Sequence, residues 1–366
     1  MASISVPPTT SAAPDMRTQL TFLQRARRVT QNYWLRVIVQ GLVTIWAVTT
    51  FTFFLIRLMP GNPIDIKIEE LMRRNTMTYD EAYRAVATMF SFDPDRPVLL
   101  QYADFVGGLV RGDLGDSLTR VGVPVTDIIL YYLPWTLFCV GTALIVSFAL
   151  GMLMGLAMGY WRGSWFDNLI TTFASTVSGI PDYIIALLII LIFGVQLQWF
   201  RVGASRGGVD PSITPGFTLE YIGSILQYAF LPVLVYVLSS VGTWTLSMKS
   251  STISTLGEDY IAVAKARGLP ESRVLTSYIG RNAMLPLVTR LAISVGFMIG
   301  GSIIIEDMFQ YPGLGRNLFL AISGRDYTVM QGIFLVITCA VVFSNILADF
   351  VIGWLDPRVR VAKKAD

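Results

Sequence analysis

The sequence predicts an all-α polytopic membrane protein. Three observations carry that prediction. Only 14% of the 366 residues are charged, against roughly 25% in soluble domains. Mean hydropathy is positive, at +0.58. Apolar runs that reach the ~20 residues needed to cross a bilayer recur along the whole chain. In hydrocarbon every backbone N–H and C=O must be satisfied within the segment, so each such run is read as a helix.

In chain order, residues 1–35 are polar, with Pro7, Pro8 and Pro14 among many Ser and Thr, and read as a disordered tail. Arg25, Arg27, Arg28 and Arg36 then precede the first apolar run, Val37–Met59. That run exceeds the 7–15 apolar residues of a signal peptide, and no small-x-small cleavage site follows. It is expected to be an uncleaved first span. The other expected spans are Pro134–Tyr160, Asn168–Phe193, Gln227–Met248, Leu287–Ile305 and Met330–Leu355, making six transmembrane helices within a membrane domain over 36–360. A long loop, 61–133, separates the first two spans, with amphipathic helices expected around Ile64–Phe90 and Pro97–Val110. A second polar loop, 249–286, joins spans four and five, and residues 361–366 form a short tail.

Basic residues choose the orientation. The N-terminal tail, the 249–286 loop (Lys249, Lys265, Arg267, Arg273, Arg281) and the C-terminal end (Arg358, Arg360, Lys363, Lys364) are richer in them than the alternate loops, which hold Arg201 and Arg206, then Arg316 and Arg325. Both termini and the 249–286 loop are therefore expected on the cytoplasmic side, with the 61–133 loop outside.

Composition excludes several classes. The chain has no histidine, which removes the commonest metal ligand and neutral-pH acid/base. Cys139 and Cys339 both fall in apolar runs and cannot build a zinc site. No Gly-x-x-x-x-Gly-Lys-Ser/Thr loop occurs, so any ATP-binding site must be on another chain. The charge pattern gives no reason to expect a nucleic-acid partner.

The segment Glu258–Pro270 is the most informative. Glu258 and Asp259 open it where the positive end of a helix dipole favours acids, and Lys265 and Arg267 close it at the negative end. Gly268 supplies a left-handed stop, and Pro270 starts the next segment. Ala262, Ala264 and Ala266 keep the helix slim, so that a partner can approach closely; Tyr260 adds an aromatic. A capped, polar helix between two spans reads either as a docking element or as a plain loop helix.

The run Leu256–Pro286, with Gly-Glu-Asp-Tyr-Ile, Ala-Arg-Gly-Leu and Arg281-Asn282-Ala283-Met284-Leu285-Pro286, resembles the coupling loop of binding-protein-dependent ABC importers, most closely the oligopeptide/dipeptide/nickel permease family. The general motif places Glu-Ala-Ala where Ala262-Val263-Ala264 stands here, and its Leu-Pro pair lies five residues nearer the glycine. Both departures are usual in the peptide branch. Further resemblance lies in Arg57 through Pro63, Gln101-Tyr102, Arg111-Gly112-Asp113-Leu114-Gly115, Tyr311-Pro312-Gly313-Leu314-Gly315, Arg325-Asp326-Tyr327, Asn345 through Asp349 and Asp356-Pro357-Arg358. The resemblance implies a non-catalytic permease subunit in a bacterial inner membrane. It implies a second homologous permease, two ATPase subunits that bind ATP and magnesium, and an external substrate-binding protein. It also implies transport of peptides, or in some members of nickel chelates, glutathione or oligosaccharides. Glu258, Asp259, Tyr260, Ala262, Ala264, Arg267 and Gly268 would then face an ATPase. The outer Tyr-Pro-Gly-Leu-Gly turn reads equally as a rigid connector or as a contact for the binding protein.

Polar residues inside the spans are the candidates for a substrate path. Thr171, Ser175, Ser178 and Asp182 follow i, i+4, i+7, i+11 spacing and are expected on one face. Ser239, Thr243 and Ser247 repeat the pattern on span four. The competing reading is that the hydroxyls bond back to their own helices. Asp349 is expected to pair with an arginine from another helix. Gly151, Gly155 and Gly159, and likewise Gly296 and Gly300, are read as helix-packing stripes. An ion-coupled secondary transporter is the reading from another class, but the sequence shows no internal repeat and few of the buried charges such proteins carry.

Overall fold

The computed structural model describes residues 33–58, 68–69, 71–73, 77–89, 97–120, 122–198, 206–298, 300 and 303–355. The chain divides into two compact units, Met1–Thr44 and Ile45–Asp366. In the first, residues 33–44 form the opening of helix α1, Tyr33–Arg57; every later element belongs to the second. The expected N-terminal tail, the Met59–Pro63 and Asp356–Arg358 parts of the family resemblance, and the C-terminal tail lie outside the described residues.

Among the described residues there is no β-strand, only an isolated bridge between Asp116 and Pro124. After α1 come α2 (Tyr79–Met89), α3 (Val98–Arg111), α4 (Val125–Tyr160), α5 (Trp165–Gly179), α6 (Asp182–Ile189), α7 (Leu219–Leu256), α8 (Asp259–Ala266), α9 (Leu285–Met298), α10 (Ile303–Met308), α11 (Leu314–Ser323) and α12 (Tyr327–Leu355). A π-helical turn, Ile190–Gln196, extends α6, and another, Val274–Gly280, lies between α8 and α9.

Of the six expected spans, four are helices long and apolar enough to cross a membrane, a fifth is a bent helix pair, and the remaining one coincides with a shorter apolar helix. The four are α1, α4, α7 and α12. α4 starts at Val125 rather than Pro134, and α7 runs eight residues beyond Met248 to Leu256, so both outrun their apolar cores. At 36 and 38 residues they are ~54 and ~57 Å long, well beyond the ~30 Å hydrocarbon layer. Span three is broken: α5 and the α6 segment meet at 104°. Ile180 is extended, as the residue before a proline is forced to be, and Pro181 has no N–H to continue the ladder. Span five is the short α9, 14 residues or ~21 Å.

α4 and α7 pack along the glycine stripe. A methyl at Gly155 would lie 2.6 Å from Met248 Cβ, and one at Gly159 2.6 Å from Thr252 Cβ. Close approach of the two backbones therefore needs these glycines. Gly296 does the same for α9 against Ser344 of α12, whereas Gly300 makes only ordinary contact with Ile337. One apolar cluster joins Leu118, Val125, Ile129, Leu314, Leu318 and Ile333 at the end carrying α11. A second centres on Cys139, Ile189, Val235, Ile305 and Tyr311. Large apolar side chains such as Ile145, Leu153, Phe297 and Phe343 stay exposed on the span helices, as a lipid-facing surface requires. Cys139 is buried, Cys339 exposed, and both are free thiols.

Candidate functional site

α8 follows directly on α7 and is built as its sequence suggests, with two differences. Glu258 is the N-cap and makes no side-chain capping bond, while Asp259 sits in the first turn. Gly268 has φ +73°, its N–H donates to the Lys265 carbonyl (2.9 Å), and the Leu269 N–H donates to the Ala264 carbonyl (3.4 Å). This bond pair defines a Schellman stop, which needs the left-handed residue. Ile261 and Ala264 are buried, 2% and 3% exposed, against Val274 and Ile279, with Leu156, Tyr160, Leu256 and Leu269 packed around them. Burying an isoleucine contributes ~1.5–3 kcal/mol, so α8 is clamped onto the ends of α4 and α7. Ala264 is thus not on the outward face; it fills the chain's own packing. Glu258, Asp259, Tyr260, Ala262, Val263, Ala266, Arg267 and Gly268 are exposed. Burial, and second the Glu258 carboxylate, push the Tyr260 phenol above its ordinary value, with the Asn282 side chain acting the other way. Tyr260 is therefore neutral at physiological pH.

The span hydroxyls separate into two groups. Ser239 Oγ donates to the Val235 carbonyl (2.9 Å), the back-bonded arrangement. Thr171 belongs to an ion-pair cluster. Lys249 Nζ lies 2.6 Å from Asp167 Oδ1 and donates to Thr171 Oγ1 (2.8 Å), and Thr171 donates to Asp167 (3.1 Å). Gly163 N–H closes the other carboxylate oxygen (2.9 Å), pinning the α4–α5 loop to α7. Ser175, Ser178 and Thr243 are exposed, and their hydroxyls have no partner among the described residues. Of the three, Ser178 is the one placed directly against α7: with Ala174 it approaches Gly242, where a Cβ would collide with both residues.

Asp182 does not join that face. The 104° break interrupts the helical phase, and the half-buried Asp182 opens α6, accepting from the Tyr183 N–H (2.9 Å). Asp349 has no ion-pair partner among the described residues, so the expected arginine pairing is absent there.

Sequence reasoning passed over Arg290 on α9. It is exposed, and its Nη1 donates to Ser247 Oγ on α7 (2.9 Å). A charge within an apolar window costs at least ~2.5 kcal/mol on insertion scales; that cost was the signal available.

The turns at the α11 end are connectors. Glu306 is fully buried and accepts from Thr136 Oγ1 (2.9 Å) and the Arg316 N–H (3.1 Å), while Thr136 accepts from the Leu314 N–H (2.8 Å). A methyl at Gly315 would come within 2.9 Å of the Glu306 carboxylate, and one at Gly313 would strike it. This explains both glycines of Tyr-Pro-Gly-Leu-Gly. Asp326, 1% exposed, accepts from Ser117 and Thr119 hydroxyls and from the N–H groups of Leu118, Thr119 and Val329.

Residues 148–361 match the family described as binding-protein-dependent transport system inner membrane component. The chain belongs to this family. The permease is 33% identical over 329 residues to a di/tripeptide transport system permease protein of Pseudomonas aeruginosa, covering 87% of this chain and 95% of that one. It is 29% identical over 333 residues to a glutathione transport system permease protein of Pectobacterium atrosepticum, covering 90% and 99%. An oligopeptide transport system permease protein of Bacillus subtilis is 27% identical over 328 residues, covering 89% and 98%. The permease is thus a multi-pass transporter component, and its helical architecture is the type I importer fold.

Proposed function

We propose that the permease translocates short peptides as one of two homologous membrane subunits of an ATP-driven importer. The supporting observation is α8. It is an exposed, capped helix clamped to the ends of the two longest, most closely packed helices, so a push on α8 is delivered to α4 and α7 together. ATP and magnesium are bound by two ATPase subunits, one of them seated on the outward face of α8, around Tyr260, Ala262, Val263, Ala266 and Arg267. An external binding protein delivers the substrate at the opposite end. The names of the relatives favour peptides over metal chelates or sugars. Ser175, Ser178 and Thr243 are the hydroxyls proposed to line the path; Thr171 and Ser239 are committed to structural bonds, and Asp182 stands apart at the helix break. The membrane is the bacterial inner membrane, with termini and α8 on the cytoplasmic side.

Two measurements test this. The complex purified from native membranes and reconstituted is expected to take up a labelled peptide only with ATP and binding protein present; uptake driven by an ion gradient without ATP would refute the reading. Single cysteines at Ser212 and Ser272, both exposed, in a background lacking Cys139 and Cys339, report orientation. An impermeant thiol reagent on intact cells is expected to label 212 and spare 272, and the reverse pattern would invert the topology.

A further inference from the structure

A polar seam runs further along α7 than the proposed path residues. Ser239, Thr243, Ser247, Ser250 and Ser254 follow spacings of four, four, three and four, so they stack on one face of the helix. Thr243, Ser250 and Ser254 are exposed; Ser239 and Ser247 are half-buried. Beside the middle of this seam stands Arg290 of α9. Its guanidinium is held on one edge by Ser247 and lies 5.9 Å from the Trp244 ring centroid. No carboxylate among the described residues pairs with it. A guanidinium carries five N–H donors in a rigid fork, and Ser247 uses one. Arg290 is exposed, so the remaining donors are open to water or to a ligand.

The geometry points to Arg290 as the anchor for the carboxylate of the substrate, the C-terminal carboxylate of a peptide, on a water-filled seam formed by Thr243, Ser247 and Ser250. This rests on the peptide-permease reading. A carboxylate matches the guanidinium fork in two parallel hydrogen bonds, and Ser247 pre-orients the fork by holding the edge that the ligand does not use. The hydroxyls one turn to either side, at Thr243 and Ser250, are placed to meet the peptide's amide groups. The negative charge enters a seam whose sole cation on α9 is Arg290.

The test uses the complete reconstituted complex and a matched pair of tripeptides, one with a free C-terminal carboxylate and one C-terminally amidated. Any preference of the binding protein is common to all variants and cancels when each acid-to-amide uptake ratio is divided by that of the parent. Arg290→Gln is expected to lower free-acid uptake about tenfold while amide uptake stays within about twofold, as loss of a charged hydrogen-bond pair implies. Arg290→Lys keeps the charge but not the fork and is expected to fall between. Ser247→Ala is expected to lower the ratio about twofold to threefold. Should Arg290→Gln fail to assemble, the Arg290→Lys and Ser247→Ala ratios decide in the same way. Equal loss for both peptides would mark a gate or packing role, and a loss that tracks the anionic-lipid content of the vesicles would mark a headgroup contact; either overturns the anchor, as does an unchanged ratio. A parent complex that takes up neither peptide overturns the peptide reading itself, whereas parent uptake with an unchanged ratio in the variants overturns the anchor alone.

Discussion

The α11 end of the helical bundle and the exposed seam beside α7 treat polar groups in opposite ways. At the α11 end, Glu306 and Asp326 are buried and saturated by hydroxyls and backbone N–H groups from segments far apart in the chain. Along the seam, Ser175, Ser178, Thr243, Ser250 and Arg290 are exposed with bonding capacity unused. A buried carboxylate is tolerable only when fully bonded, so satisfied burial makes a rigid seam. Exposed polar groups on apolar helices are tolerable only beside water, a ligand or a second chain. The α11 end is built to hold its shape and the seam to be met by something else.

The comparison can be broken by substitution, and the largest effect belongs to the saturated end. Asp326→Ala strands donors from Ser117, Leu118, Thr119 and Val329. At ~1.5–3 kcal/mol for each hydrogen bond to a charged group, less than additively, the expected loss is about 4 kcal/mol. Thermal unfolding in detergent checks it, and a midpoint within about 2 °C of the parent would show that Asp326 does not hold the seam. Next is Lys249→Met, which leaves Asp167 buried and unpaired and is expected to cost about 3 kcal/mol. Adding Asp167→Asn should recover more than half of that in the same assay; simple additivity would dissolve the pair as a unit.

Substitutions on the unused groups should leave stability within about 0.5 kcal/mol, as surface changes do. Ala266→Trp puts bulk on the outward face of α8 without touching Ile261 or Ala264. Uptake is expected to fall about tenfold or more, with ATPase subunits lost on co-purification or no longer stimulated by binding protein. Unchanged uptake and assembly would leave α8 a loop helix. Ala264→Arg is expected instead to unfold the loop, because Ala264 faces inward. The smallest effect is reserved for Thr243→Ala, about twofold in peptide uptake with no shift in melting temperature. A melting shift without an uptake change would move Thr243 to the structural group.

Much of this was legible from local chemistry. The Gly268 stop, the acidic start of α8 and the Gly151, Gly155 and Gly159 stripe depend on interactions within a turn or on the absence of a side chain, and both survive any tertiary arrangement. The span ends were less legible, because α4 and α7 continue as helices through polar residues whose backbones still need hydrogen bonds.

The sequence by itself determined the membrane class, the apolar segments, and the position and left-handed stop of α8. Tertiary structure alone decided which way the residues face. Ala264 turned inward because Val274 and Ile279, from the following loop, cover it. Asp182 left the Ser175 and Ser178 face because a 104° bend resets the helical phase. Arg290 met Ser247 across 43 residues, and Asp326 met Ser117 across 209. Such meetings follow from how whole helices pack, and helical spacing carries phase only as far as the helix itself continues.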